Sequence, residues 1–490
     1  MSTENDQLGR PLEGSSQHKS TASELRWRLY KTEGQIAALE SQMAILRADR
    51  ETVLGDLAAI VYPVLTLPNE ITAEIFIQLW RAVALSTCRL WTHFSPFTRY
   101  MCSPSYDSDT CRHLVDLLMC WLPRAGGLNL HICIKLPTSP SPESDRTLRI
   151  LGQYSSQLKT LDLASNGPIS FPADIRGPFP YLTSIALLAH PSSFGPTTMP
   201  ILLDAPRLRE VRLDAIDLVD WRTSVPWIQL TSLDLLFHDV LECLEILTYT
   251  PNLEVLVFRT DEGPEDPIFS PPPSLPRLHT LNLGPDGSND LLPHLTLPAL
   301  DNLRLDSVTN ESVEAVTALI TRSGCSPTTL LVSFYNSEEA ECMHDLILCV
   351  PSVRNIHMLC AGVTSAHFTG LFDSISKHSS ILPALTSFTI DECCTEIPLR
   401  PLVQMLAARR SPMEGIAQLN SFKLLFHQEY YDVYAEVNMN AQNKDVGLAL
   451  EQLCALRSQG LQLDIQSTIK WLSGNVTPKM IEEINAVDLS

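Results

Sequence analysis

The sequence lacks most of what would announce a chemistry. It has no G-x-S-x-G, no H-E-x-x-H, no G-x-x-x-x-G-K-S/T and no G-x-G-x-x-G, so no nucleophile elbow, zinc-protease helix or phosphate-cradling loop is proposed by it. Its 13 cysteines include no C-x-x-C pair, and the only close two, Cys393-Cys394, are adjacent. An odd count without a spaced framework reads as reduced thiols in an intracellular chain. Cys111, His113 and Cys120 come nearest to a ligand cluster, yet their spacing on a helix is not a zinc pattern. Basic residues are scarce, 35 against 56 acidic ones, for a net charge of −21. No basic stripe offsets repulsion from phosphates, which excludes nucleic acid as a partner. The short clusters Arg47–Arg50 and Arg409-Arg410 read as solvated helix faces, as do the acidic pairs Glu338-Glu339 and Glu482-Glu483. No apolar run reaches the roughly 18 residues of a membrane span, and the first twenty residues hold no apolar signal region. The expectation is a cytoplasmic or nuclear protein, not an enzyme, with no cofactor, no metal and no membrane contact.

What is present describes a folded chain. Hydrophobic residues make up 44% and charged ones 19%, well away from the disordered regime. At 490 residues the length exceeds one compact domain unless the chain is a repeat array growing in one dimension. In order, the expected organisation is a disordered tail over 1–21, a coiled-coil helix over 22–62 and a short helical segment over 63–95. A connecting region over 96–150, a repeat array over 151–470 and a tail over 471–490 follow. The expected class is α/β.

From Leu25 the apolar residues fall into heptads. Leu29, Ile36, Met43 and Leu57 hold one seam position and Leu25, Leu39, Leu46, Val53 and Ile60 the other, with Thr32 and Arg50 interrupting. This alternation is the coiled-coil period. Two outcomes are open for the helix: a homodimer with a second copy, in which Arg50 restricts register, or folding back onto its own chain. Pro63 ends it by removing an N–H.

The stretch Leu65–Trp91 carries the one functional signature. Pro68 suits the first turn of a helix, and Leu67, Ile71, Ile75 and Leu79 recur every four residues, with Phe76 beside Ile75, to make one apolar face. Leu67, Pro68, Glu70, Ile71, Ile75 and Phe76 fit L-P-x-E-I/L-x-x-x-I-F. Trp80-Arg81 and Ala84-Leu85-Ser86-Thr87 through Leu90-Trp91 fit W-R-x-I/V-A-L-S-T-x-x-L-W. This segment resembles an F-box, and the whole chain resembles the F-box-like, leucine-rich-repeat proteins numerous in mushroom-forming fungi. The resemblance implies that Leu67, Pro68, Ile71, Ile75, Phe76 and Trp80 dock the adaptor subunit of an SCF-type ubiquitin ligase. It further implies that the repeats hold an unknown target protein. The match departs from the family in one place: only Ile77, Gln78 and Leu79 separate Phe76 from Trp80, where the family carries a further helix with a V-C-x-x-W. Losing a few hundred Å² of adaptor contact at ~25 cal/mol per Å² costs several kcal/mol, so the alternative is a non-catalytic scaffold that has lost adaptor binding.

Beyond Trp91, Cys111–Trp121 has helical spacing, stopped by Pro123 and Gly126-Gly127. Leu128, Leu130, Ile132 and Ile134 alternate as a first strand. Pro137–Asp145 (PTSPSPESD) reads as a loop, too rich in Pro and Ser for anything regular. Then a repeat begins. L-x-x-L-x-L, with other apolar residues allowed, opens at Leu158, Leu182, Leu208, Leu230, Leu253, Leu278, Leu300, Val353, Leu385 and Leu419, with weaker copies at Thr329 and Gly460. A period in the low twenties is the leucine-rich-repeat signature. A proline stands two residues ahead of six openings, at Pro180, Pro206, Pro251, Pro276, Pro298 and Pro383, and marks the turn feeding each strand. Glu311–Arg322, Glu338–Leu348 and Gly447–Arg457 read as helices between strands. The asparagine common after L-x-L is clear only at Asn166, with Cys393 in the equivalent place once, which predicts an irregular arc. Glu262–Pro276 is the predicted protruding loop. Positions around L-x-L such as Lys159, Asp162, Arg209, Arg212, Asp234, Arg304 and Asp306 are the candidates for meeting the target.

Overall fold

The structure, a computed structural model, describes residues 22–59, 68–96, 108–136, 141–165, 167, 169, 171–172, 177–189, 202–214, 224–260, 273–285, 287–391, 397–412, 414–426 and 443–467. The expected tails, Leu67, Asn166, Cys393 and most of Glu262–Pro276 lie outside the described residues. The chain divides into two units, Met1–Leu85 and Ser86–Ser490.

The first unit holds two helices. α1 (Ala22–Ala59) runs unbroken for 38 residues, and every one of its residues from Ala22 to Leu57 is exposed. α2 (Asn69–Ser86) follows, its first turn closed by the Thr72 N–H donating to the Pro68 carbonyl at 3.0 Å.

The second unit is α/β and is built on one open, wholly parallel sheet of 14 strands in chain order. These are β1 (His93–Phe94), β2 (Leu130–Leu136), β3 (Leu158–Ser165), β4 (Ser184–Ala189), β5 (Glu210–Asp214), β6 (Ser232–Leu236) and β7 (Val255–Arg259). Then come β8 (Thr280–Leu283), β9 (Asn302–Asp306), β10 (Thr329–Ser333), β11 (Asn355–Leu359), β12 (Ser387–Asp391), β13 (Ser421–Phe426) and β14 (Gln462–Ser467). Helices lie in the connections: α3 (Ser108–Trp121), α4 (Pro142–Gln153), α5 (Val240–Thr248), α6 (Gly287–Leu291), α7 (Asn310–Ser323), α8 (Ser337–Glu341), α9 (Met343–Cys349), α10 (Ser365–Lys377), α11 (Leu399–Arg410) and α12 (Asn443–Ser458).

The leucine spacing sets the pairing. The second apolar position of each repeat aligns in one row: Leu161, Ile185, Val211, Leu233, Leu256, Leu281, Leu303, Leu330, Ile356, Phe388, Phe422 and Leu463 are consecutive register partners. All are buried. Slipping one strand by a single residue would turn its row to the other face, so the register is fixed by burial. Apolar faces of the connecting helices close the same core, as Leu244 and Leu247 of α5 and Phe368 and Phe372 of α10 illustrate.

The prolines act as the sequence predicts. Leu182, Leu208, Leu253, Leu278, Leu300 and Leu385 each donate their N–H to the carbonyl three residues back, at 3.1–3.3 Å. Proline therefore occupies the second position of each turn, where its fixed φ is already correct.

Three details depart from expectation. His93–Phe94, not the strand around Ile132, is the first strand of the sheet, too short to show a period of two. The weak repeat opens two residues earlier than Thr329, because Thr329 pairs with Asn302 and Leu330 with Leu303; buried Pro327 stands where most of the other repeats have leucine. The second half of PTSPSPESD is helical. Ser141 caps α4 by accepting the Ser144 N–H at 3.2 Å, Pro142 takes the first helical position, and Glu143 and Asp145 face the positive end of the helix dipole.

Candidate docking surfaces

α2 is built to be apolar over half its girth. At about 100° per residue, Ile71, Ile75, Leu79, Val83, Phe76 and Trp80 spread over one side, while Glu70, Glu74, Gln78 and Arg81 gather on the other. Gln78 Nε2 donates to Glu74 Oε1 at 2.7 Å. The apolar side is not covered: Ile71 is 49% exposed, Ile75 40%, Phe76 51% and Trp80 69%. Single exposed leucines are ordinary, but a contiguous patch of large apolar side chains marks a surface meant for contact. Of the six residues expected to dock an adaptor, Pro68, Ile71, Ile75, Phe76 and Trp80 stand exposed on or beside α2.

The closing part of the same motif behaves differently. Trp91 sits in the second unit, half-buried, its ring edge-on to Trp121 with centroids 4.5 Å apart. Trp121 Nε1 donates to the Trp91 carbonyl at 2.8 Å, and the Arg124 guanidinium lies 4.8 Å from the Trp91 ring. Gly126 turns the chain beneath them at φ 60°, and a Cβ there would come 2.8 Å from Cys88 Sγ. These residues anchor the first strands of the sheet.

On the sheet, the side chains between the buried rows form a second surface. Its most charged part spans β5 to β7. Arg212 Nε lies 3.2 Å from Asp234 Oδ2, and Asp214 shares the neighbourhood with His238 and Arg259. Burial pushes the Asp214 carboxyl up to about 6, Asp234 adds to this, and Arg212, His238 and Arg259 oppose it. Asp234 is raised as well, again by burial, with Arg212 and Arg259 opposing. His238 is buried between sheet and α5, Nδ1 3.1 Å from Glu242 Oε2. Asp214 Oδ1, Asp234 Oδ1 and His238 Nε2 are buried with no hydrogen-bond partner among the described residues.

The other candidates from the repeat positions divide. Lys159 and Asp162 are half-buried on the sheet. Arg209 instead closes its own turn, donating to the Leu208 carbonyl at 2.8 Å. Asp306, 5% exposed, is internal: it accepts from Arg304 Nε at 3.1 Å and from Ser333 Oγ at 2.8 Å.

Two groups expected on solvated faces are buried. Glu339 is 8% exposed. Its Oε1 accepts from Ser307 Oγ and Asn336 Nδ2, each at 2.9 Å, and its Oε2 from the Tyr335 N–H at 2.7 Å. It knits α8 to the turn after β9, where Ser307 has φ 66°. Arg409 is buried at the end of α11 and donates to the carbonyls of Ile381 and Leu382, the turn ahead of β12; burial lowers its pKa from the usual arginine value. Arg322, at the end of α7, does the same for Leu292 and Leu295, both at 2.8 Å from Nη2 and Nε respectively. Adjacency of like charges in the sequence gives no sign of this, because the carbonyls they satisfy lie a whole repeat away.

Little else suggests chemistry. Cys243 is fully buried, and burial, then Glu242 and Asp239, push its thiol far up, leaving it inert as a nucleophile. An apolar void of about 10 Å³ lined by Leu148, Leu151, Leu158, Phe171 and Phe179 is at the lower limit for one water. Among the described residues no group of three or more His, Cys, Asp or Glu is placed to hold a metal ion, and no helix is long and apolar enough to cross a membrane. No family model matches the chain, and no curated protein matches it.

Proposed function

We propose that this chain is an F-box-type substrate-recognition subunit of an SCF ubiquitin ligase, with α2 docking the adaptor subunit and the sheet, as a leucine-rich-repeat solenoid, holding a target protein. The observation that carries this reading is the uncovered apolar side of α2, on which the residues resembling an F-box stand exposed ahead of a ladder of leucine strands. Catalysis then belongs to other subunits, and this chain contributes proximity and orientation. The charged side chains Arg212, Asp214, Asp234 and Arg259 on β5–β7 support that face as the part that meets the target. Co-purification with the adaptor tests the proposal, with wild type compared to Ile71→Asp. Adaptor is expected with wild type and lost with the variant; equal recovery from both, or none from either, overturns the reading.

One observation favours a second reading, a repeat scaffold that no longer recruits a ligase. α2 runs without interruption from Asn69 to Ser86, straight through the place where the family's additional helix would enter. Genomic DNA around the codons for Gln78 and Leu79 separates the two: an unrecognised exon encoding V-C-x-x-W favours the ligase subunit, and its absence favours the scaffold.

A further inference from the structure

We propose that α1 pairs with α1 of a second copy of this chain as an antiparallel coiled coil whose two-fold axis passes beside Ser41. The proposal does not rest on the reading of α2.

A helix exposed on every side, with Gly34 and Gly55 inside it, has little reason to persist alone. Each interior glycine costs about 1 kcal/mol relative to alanine, and helical stability in proteins comes chiefly from packing an apolar face. The heptad seam supplies such a face, and both glycines lie at the heptad position farthest from it. The two polar seam residues, Thr32 and Arg50, decide what covers it.

A parallel, in-register pair sets Arg50 against Arg50, placing two like charges in the seam. An antiparallel pair centred on Ser41 sets Leu25 against Leu57, Leu29 against Val53, Ile36 against Leu46 and Leu39 against Met43, while Thr32 meets Arg50. Every apolar residue then meets an apolar one, and the two exceptions meet each other. Sliding this pair by one heptad would set Arg50 against Leu25 and Thr32 against Met43. Thr32 already spends its hydroxyl on the Arg28 carbonyl at 2.8 Å, and Arg50 reaches outward to Glu51 at 3.4 Å. The small threonine thus leaves room for the arginine stem to pass to water.

The flanking charges agree. In the antiparallel pair Arg28 lies alongside Asp49 and Asp56 of the second copy and Glu33 alongside its Arg47. That makes four attractive contacts over the two copies, one for each Arg28 and Arg47, against one repulsive one, where the two Glu40 side chains meet at the axis. A parallel pair keeps one attractive contact on each side, Arg28 with Glu33, but leaves Asp49 and Asp56 with no basic residue. Flanking charges of this kind set partner choice and orientation in coiled coils.

The test uses the full chain. Sedimentation equilibrium is expected to show a dimer, and a spin-labelled non-natural residue in place of Glu24 is expected to give an inter-label distance of roughly 50 Å, from 1.5 Å of rise per residue. Asp49→Lys with Asp56→Lys is expected to weaken the dimer about tenfold, and adding Arg28→Glu to restore it. A monomer at all concentrations overturns the proposal, as the helix folding back on its own chain would produce. An inter-label distance below about 20 Å, the mark of a parallel pair, overturns it too, as does failure of Arg28→Glu to restore association.

Discussion

The two units use the same side chains in opposite ways. In Ser86–Ser490 the leucines, isoleucines and phenylalanines of each repeat are covered by the repeats on either side, and Phe388 and Phe422 pack edge-on with centroids 5.8 Å apart. In α1 and α2 residues of the same types stand in the open. A repeat array completes its own core by stacking, whereas a lone helix must find its cover elsewhere. Apolar surface in Ser86–Ser490 is used up in folding, whereas in α1 and α2 it stays available for the association proposed above.

That contrast can be broken by truncation. Phe388→Ala is expected to cost about 3–5 kcal/mol, read as a large drop in melting temperature. Ile75→Ala on α2 is expected to stay within about 0.5 kcal/mol. Comparable losses at the two sites would mean that α2 is covered within its own chain.

A smaller effect is expected inside the sheet unit. Glu339→Ala leaves Ser307, Asn336 and the Tyr335 N–H without their acceptor and is expected to cost about 2–3 kcal/mol, measured by denaturant unfolding. Glu314→Ala, on the exposed side of α7, serves as the control and is expected to change little.

The mildest effect sharpens the picture of the polar patch through pH. The folded-state pKa of Asp214, about 6, stands above its unfolded value, so folding favours the protonated form. Its contribution to stability is fully present below about pH 4, near the unfolded carboxyl value, and is lost as pH rises through about 6. Asp214→Asn is therefore expected to raise the melting temperature at pH 7 to 8 and to gain nothing at pH 4. An equal gain at both values would show that the carboxylate is not held in a desolvating site.

Legibility followed the range of the interactions. Turn prolines and leucine rows could be read directly, because each depends on neighbours a few residues away and the same pattern recurs many times. α4 was hidden behind its own composition: Ser141 and Pro142 look like loop residues until they are placed at a helix start. Arg409 and Glu339 were misplaced for a different reason. Their partners, Ile381 and Leu382 for one and Ser307 for the other, stand about thirty residues away, and no periodicity connects them. The apolar residues of α2 can be recognised by type and spacing, but whether anything covers them is not written in a spacing.

The sequence alone determined that apolar residues recur with periods suited to a strand ladder and to a heptad helix, since both periods come from backbone geometry. Only the tertiary structure decided which charges face water and which close the turns, because burial depends on what the rest of the chain brings alongside. It likewise decided that Trp91 anchors the sheet while Trp80 stands in the open. The two tryptophans lie eleven positions apart in one motif, and only the arrival of α3, with Trp121, covers one of them.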